Sequence, residues 1–84
     1  MLNEFKTYLL SQKYKPLTAE DYKGRIERLL AKEKFTLEHL VKNITSILPE
    51  YEKTGKKHAY GKRSHSSVLN ALRRFSEFLT EGTN

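Results

Sequence analysis

Seven cations, Lys53, Lys56, Lys57, Lys62, Arg63, Arg73 and Arg74, fall between Lys53 and Ser76, a stretch that contains no Asp or Glu. The 84-residue chain has a formal net charge of +6, and outside this stretch nine basic and ten acidic side chains nearly cancel. The positive excess is therefore the property of one segment. Solvation alone favours mixed signs, so the asymmetry points to a polyanionic partner more strongly than the total does. Phosphate groups suit it, because Lys and Arg neutralise them and release condensed counterions, which gives affinity without sequence preference. Ser64, Ser66 and Ser67 place hydroxyl donors at the expected start of a helix, where unpaired N–H groups and the helix dipole also favour an anion. Asn70, Arg73 and Arg74, further along, are of the types that reach phosphates or base edges. Lys13, Lys15 and the residues that follow offer a second basic contact, and the sequence does not say whether the two patches face the same way.

Catalytic chemistry is poorly represented. His58 falls in a basic loop and His65 in the helix expected after it, His39 is remote, and there is no cysteine or nearby carboxylate to complete a metal site. Gly55 with Gly61-Lys62-Arg63-Ser64 resembles a phosphate loop only superficially: the glycine spacing is one residue too long, the serine is one place late, and no strand precedes it. Glu50 and Glu52 point in different directions on a helix and make a poor general acid–base pair. A helix cap explains Ser64 without an oriented base or an oxyanion site. No cofactor is implied and no catalytic residue is assigned.

These side chains need helices to position them. Leu2, Phe5 and Leu9 are spaced as a buried stripe, which predicts a helix over about 2–11 that the Gln12-to-Pro16 segment ends. A second helix is expected over about 18–33. Thr18 is its N-cap, Asp21 completes a capping pattern, and Leu17 with Tyr22 forms a hydrophobic staple. Tyr22, Ile26, Leu29 and Leu30 form the stripe, and Gly24 falls on the opposite face, either tolerated or admitting another backbone. A third helix begins at a Thr36 cap and carries Leu37, Leu40, Val41, Ile44 and Leu48 over about 36–48. Pro49 ends or kinks it, with room for one more turn toward Thr54 and Gly55 as the stop. A basic loop from Gly55 to Arg63 follows. The fourth helix spans about 64–80, with Ser64 as cap and Gly82 beyond its end. Val68, Leu72, Phe75 and Leu79 lie on one side of it; Ser66, Asn70, Arg73 and Glu77 lie on the other. Such a polar face also suits plain solvation. Tyr14 and Tyr60, near loops, are expected to pack rather than stack on a ligand.

The result is one compact all-α domain of four amphipathic helices spanning residues 1–84. No window reaches the roughly 18 apolar residues of a membrane span, and the amino terminus carries no basic leader, so a cytosolic protein without a membrane partner is expected.

The chain resembles the N-terminal core-binding domain of tyrosine recombinases, the phage integrase family. Three segments carry the resemblance. Phe5-x-x-Tyr8-Leu9 is similar to the family's opening helix, and Thr18-x-x-x-Tyr22-x-x-x-Ile26-x-x-Leu29-Leu30 to its second. The run Ser64-x-x-Ser67-Val68-x-x-Ala71-Leu72-Arg73-x-Phe75-x-x-Phe78-Leu79 matches its fourth. The resemblance spans nearly the whole chain and implies a compact four-helix bundle of the SAM-like kind, lying on one face of duplex DNA. A separate C-terminal catalytic domain, joined by a linker that would begin near Gly82, closes on the other face and supplies the tyrosine nucleophile. Other recombinase protomers on the DNA would be further partners, and the setting would be the cytoplasm of a bacterium or a phage host. None of the five tyrosines stands in a matching catalytic context. The second and fourth helices of the family face DNA, which implies Lys15, Thr18 and Lys23 beside Lys62, Arg63, Ser64, Ser67, Asn70, Arg73 and Arg74. The basic loop adds Lys56 and Lys57, although the segment from Glu50 to Arg63 is longer and more basic than the family's pattern. Two other readings stay open: a stand-alone helical DNA-binding factor, and a basic helical module that meets an acidic protein.

Overall fold

A proline at the first helical position has its φ already set and gives up an N–H that would have no partner there. In the computed structural model of the chain, Pro16 opens the second helix in this way, two residues ahead of Thr18. The structure describes residues 1–81, with the side chains of Ser64 and His65 left aside. Five helices follow in order: α1 (Leu2–Ser11), α2 (Pro16–Glu33), α3 (Leu37–Tyr51), α4 (His58–Gly61) and α5 (Arg63–Glu81). No strand occurs among the described residues. A Cα radius of gyration of 11.9 Å matches the about 12 Å of a compact chain this long.

Several expectations are corrected. Thr18 lies inside the first turn of α2 and is not its cap; Lys15 holds that place. Leu17 is 86% exposed, so no staple forms with Tyr22, and Asp21 turns instead to Arg25 and Arg28. Helix α3 runs through Pro49 to Tyr51. Pro49 is exposed, so the carbonyl deprived of its N–H can turn to water. The departure from helical geometry lies at Asn43 (φ −117°, ψ 19°), whose side-chain amide donates to the His39 carbonyl at 3.0 Å. The segment from Gly55 to Arg63 is not a plain loop, since α4 occupies its centre and raises the helix count to five. Gly55 does not stop α3 in a left-handed conformation; it is required because a Cβ there would lie 2.2 Å from the Glu50 carbonyl oxygen. Helix α5 begins at Arg63, so Ser64 lies within it rather than capping it. Gly82 lies outside the described residues.

Two left-handed residues end the first two helices. Beyond α1, Lys13 (φ 70°) donates to the Leu10 carbonyl and Tyr14 to that of Leu9, the paired bonds of a Schellman motif. Beyond α2, Lys34 (φ 57°) is followed by Phe35, which donates to the Leu30 carbonyl. The Thr36 cap is as expected: its hydroxyl accepts from the His39 N–H at 3.0 Å.

Helix α5 is the hub. It packs against α1, α2, α3 and α4, and Val68, Leu69, Ala71, Leu72, Phe75 and Phe78 supply its buried face. Phe5 of α1 meets Phe75 edge-on, with ring centroids 5.2 Å apart. Each buried side chain of this size contributes about 1.5–3 kcal/mol. Ile47 and Tyr51 are buried beyond the expected α3 stripe. Tyr8 closes the far end by donating to Glu81 at 2.8 Å; that bond, then burial, pushes its phenol up to about 12.

Candidate nucleic-acid interface

Helices α2 and α5 run in opposite directions. Tyr14, ahead of α2, meets Arg74 late in α5, while Lys32, late in α2, meets Tyr60 just ahead of α5. A polar seam lies along one flank. An Arg74 Nη1–H donates to the Tyr14 hydroxyl at 3.0 Å, and its other terminal nitrogen donates to Glu77 at 2.9 Å. The Tyr14 and Tyr22 rings lie 5.9 Å apart. Burial, more than any neighbouring charge, pushes the Tyr22 phenol above its ordinary value, and the Asn70 side chain beside it acts weakly in the opposite sense. The Arg74 Nε is buried without a hydrogen-bond partner. Arg25 Nε lies 3.3 Å from Asp21 Oδ1 but is not aligned as a hydrogen bond. The seam thus joins the α1–α2 turn, with exposed Lys13 and Lys15, to the middle of α5.

A second cluster forms at the other end of α2. The Glu33 carboxylate accepts from the Tyr51 hydroxyl at 2.9 Å and from Lys57 Nζ at 3.2 Å. Burial pushes Glu33 up, but these two bonds outweigh it and hold the carboxyl below its usual range. Burial, then the bond to Glu33, raises the Tyr51 phenol. Lys57 also lies 5.5 Å from the Phe35 and Tyr51 ring centroids. Gly61 sits under this cluster, and a Cβ there would come 2.4 Å from the Tyr51 carbonyl oxygen.

The acid-free stretch of sequence is not acid-free in space. Folding brings Glu33 and Glu50 to Lys57, Glu50 to Lys56 at 3.4 Å, Glu52 to Arg73 at 3.2 Å and Glu77 to Arg74. Lys53, Lys62 and Arg63 remain exposed, with no carboxylate partner among the described residues. The exposed pairs are worth only about 0.2–1 kcal/mol, so a phosphate can displace their carboxylates. Lys57, with 28% of its side chain exposed, is built into the fold instead.

The expected site residues therefore divide. Asn70 and Arg74 share the α2–α5 seam with the tyrosines, beside exposed Lys15. Thr18 and Lys23 are half-buried on α2, and Ser67 is half-buried and engaged on α5. Lys62 and Arg63 stand at the α4–α5 junction. Lys56 and Lys57 belong with α3 and α4, and Arg73 turns to Glu52 beyond α3 while its neighbour Arg74 turns to the α1–α2 turn. The Ser64 side chain lies outside the described residues. Sequence reasoning missed Glu33, Tyr51 and Lys32; for Tyr51 the signal was there, since it continues the Leu40, Ile44, Ile47 spacing past Pro49.

Ser66 adds local strain. Its φ of 65° is left-handed, which costs a residue with a Cβ roughly 1–2 kcal/mol. Among the described residues no group of His, Asp and Glu is placed to hold a metal ion, and no helix is long and apolar enough to cross a membrane. No protein-family model, curated protein or solved structure matches the chain.

Proposed function

We propose that the chain is a non-catalytic domain that binds duplex DNA through α2, α5 and the residues that lead into them. The reading extends to a SAM-like core-binding domain of a tyrosine recombinase, the family its sequence resembles. The observation that carries it is the antiparallel α2–α5 pair, whose seam holds Asn70 and Arg74 beside the Lys13–Lys15 turn, with Lys62 and Arg63 exposed where α5 begins. Cations set along a pair of packed helices track a phosphate backbone, and Asn and Arg on a helix face are the types that read base edges. In a recombinase a second, catalytic domain would grip the opposite face of the duplex, so this domain alone binds weakly.

Salt titration on duplex DNA tests the reading. With about four to six phosphates neutralised, log affinity falls against log salt with a slope of roughly −4 to −5. Absence of binding at low salt overturns it and favours an acidic protein as the partner.

A further inference from the structure

Tyr60 of α4 is flanked by two cations from different elements. Lys32 Nζ of α2 lies 4.8 Å from its ring centroid and the Arg63 guanidinium carbon of α5 lies 5.7 Å away. Both are within cation–π reach of the ring face. Like charges drawn to one ring repel each other, so the arrangement lowers its energy when an anion arrives between or beside them. Lys32 and Arg63 are both exposed. The nearby carboxylate, Glu33, is held by Tyr51 and Lys57 and lies 3.9 Å from Lys32, and Lys57 also meets Glu50 at 3.9 Å, so the three cations Lys32, Lys57 and Arg63 still outnumber the two carboxylates. Tyr60 is itself fixed against the buried Tyr51, with ring centroids 6.2 Å apart. The two long side chains thus share a rigid platform, which reduces the entropy lost when they close on a ligand.

The geometry points to an anion clamp formed by Lys32, Tyr60 and Arg63, which takes phosphate groups of a nucleic-acid strand and extends the DNA footprint to the tail of α2. Its nucleic-acid assignment rests on the DNA-binding reading above. The clamp brings in Lys32, which neither charge clustering nor the family resemblance marks.

Two measurements on the full chain test it. In duplex-DNA titrations, Lys32→Ala and Arg63→Ala each flatten the salt slope by about one. Lys42→Ala, which removes an exposed cation paired with Glu38 on α3, leaves the slope unchanged. Independently, sodium tripolyphosphate is titrated while amide NMR shifts are followed, and the changes are expected to concentrate at Lys32, Tyr60 and Arg63. If DNA binds and Lys32→Ala and Arg63→Ala behave like Lys42→Ala, the clamp is overturned and the DNA reading stands. If DNA does not bind but tripolyphosphate shifts these three residues, the clamp stands as a polyphosphate site and the DNA reading falls. If neither ligand has an effect, both are overturned.

Discussion

Tyr51, the last residue of α3, donates a hydrogen bond of 2.9 Å to Glu33, the last residue of α2. This one bond joins the tails of two helices and, through Lys57 on the same carboxylate, fastens the basic segment between α3 and α5. A partly buried carboxylate that accepts from two donors loses the charge that strengthens both bonds when it is neutralised, and one of its two oxygens ceases to be an acceptor for its donor.

Glu33→Gln lowers stability by about 1–2 kcal/mol at neutral pH. Because folding holds the Glu33 carboxyl below its ordinary value of 4.5, its contribution is present above that value and is lost as pH falls through the folded one. Urea melts of the wild type and the variant at pH 7 and pH 3 check this. The gap between the two proteins should narrow in acid, and an equal gap at both pH values would show that the carboxyl is not held down.

Neighbouring arginines have opposite fates. Arg74→Ala removes the donor to the Tyr14 hydroxyl and loosens the α1–α2 turn, at a cost of about 1–2 kcal/mol. Arg73→Ala breaks only an exposed pair with Glu52, costs under about 1 kcal/mol and weakens DNA binding with the helical fold intact. Circular dichroism melts beside DNA titrations separate the two, and unchanged affinity in Arg73→Ala removes that residue from the interface.

Two glycines respond in opposite directions. A Cβ at Gly24 meets nothing closer than the flexible Arg28 guanidinium at 3.6 Å, so Gly24→Ala should stabilise α2 by about 0.5–1 kcal/mol. At Gly61 the Cβ would strike the Tyr51 backbone, and Gly61→Ala should cost about 1–3 kcal/mol. Thermal unfolding gives both signs, and a neutral Gly61→Ala would mean that α4 is free to move off α3.

Lys34 holds a left-handed conformation at the end of α2. Glycine adopts it without the Cβ penalty, so Lys34→Gly should raise stability by about 1 kcal/mol. The gain is read as a higher denaturant midpoint at an unchanged slope.

The sequence made some of this legible and concealed the rest for identifiable reasons. Helix α1 appears where the spacing of Phe5 and Leu9 puts it, and the α5 stripe of Val68, Leu72 and Phe75 is buried as its periodicity implies. Local preference misled where two signals competed: Pro16 and Thr18 both suit a helix start, and the pre-set φ of proline prevailed. The continuation of α3 through Pro49 was concealed because an exposed proline is tolerated where its orphaned carbonyl reaches water. The inward turn of Lys57 was illegible for a different reason. Its partner Glu33 is remote in the chain, and charge counted along a sequence cannot register a carboxylate brought in by folding.

The hub position of α5 has a consequence for synthesis. Phe5 and Leu9 emerge from the ribosome early, yet the aromatic surface they bury against, Phe75 and Phe78, emerges last among the described helices. Until then α1, α2 and α3 present an open apolar face that local helix formation cannot close. The nascent chain must either wait in a loosely collapsed state or be shielded, and it acquires its core in one late step, when the helix that bears Asn70 and Arg74 arrives.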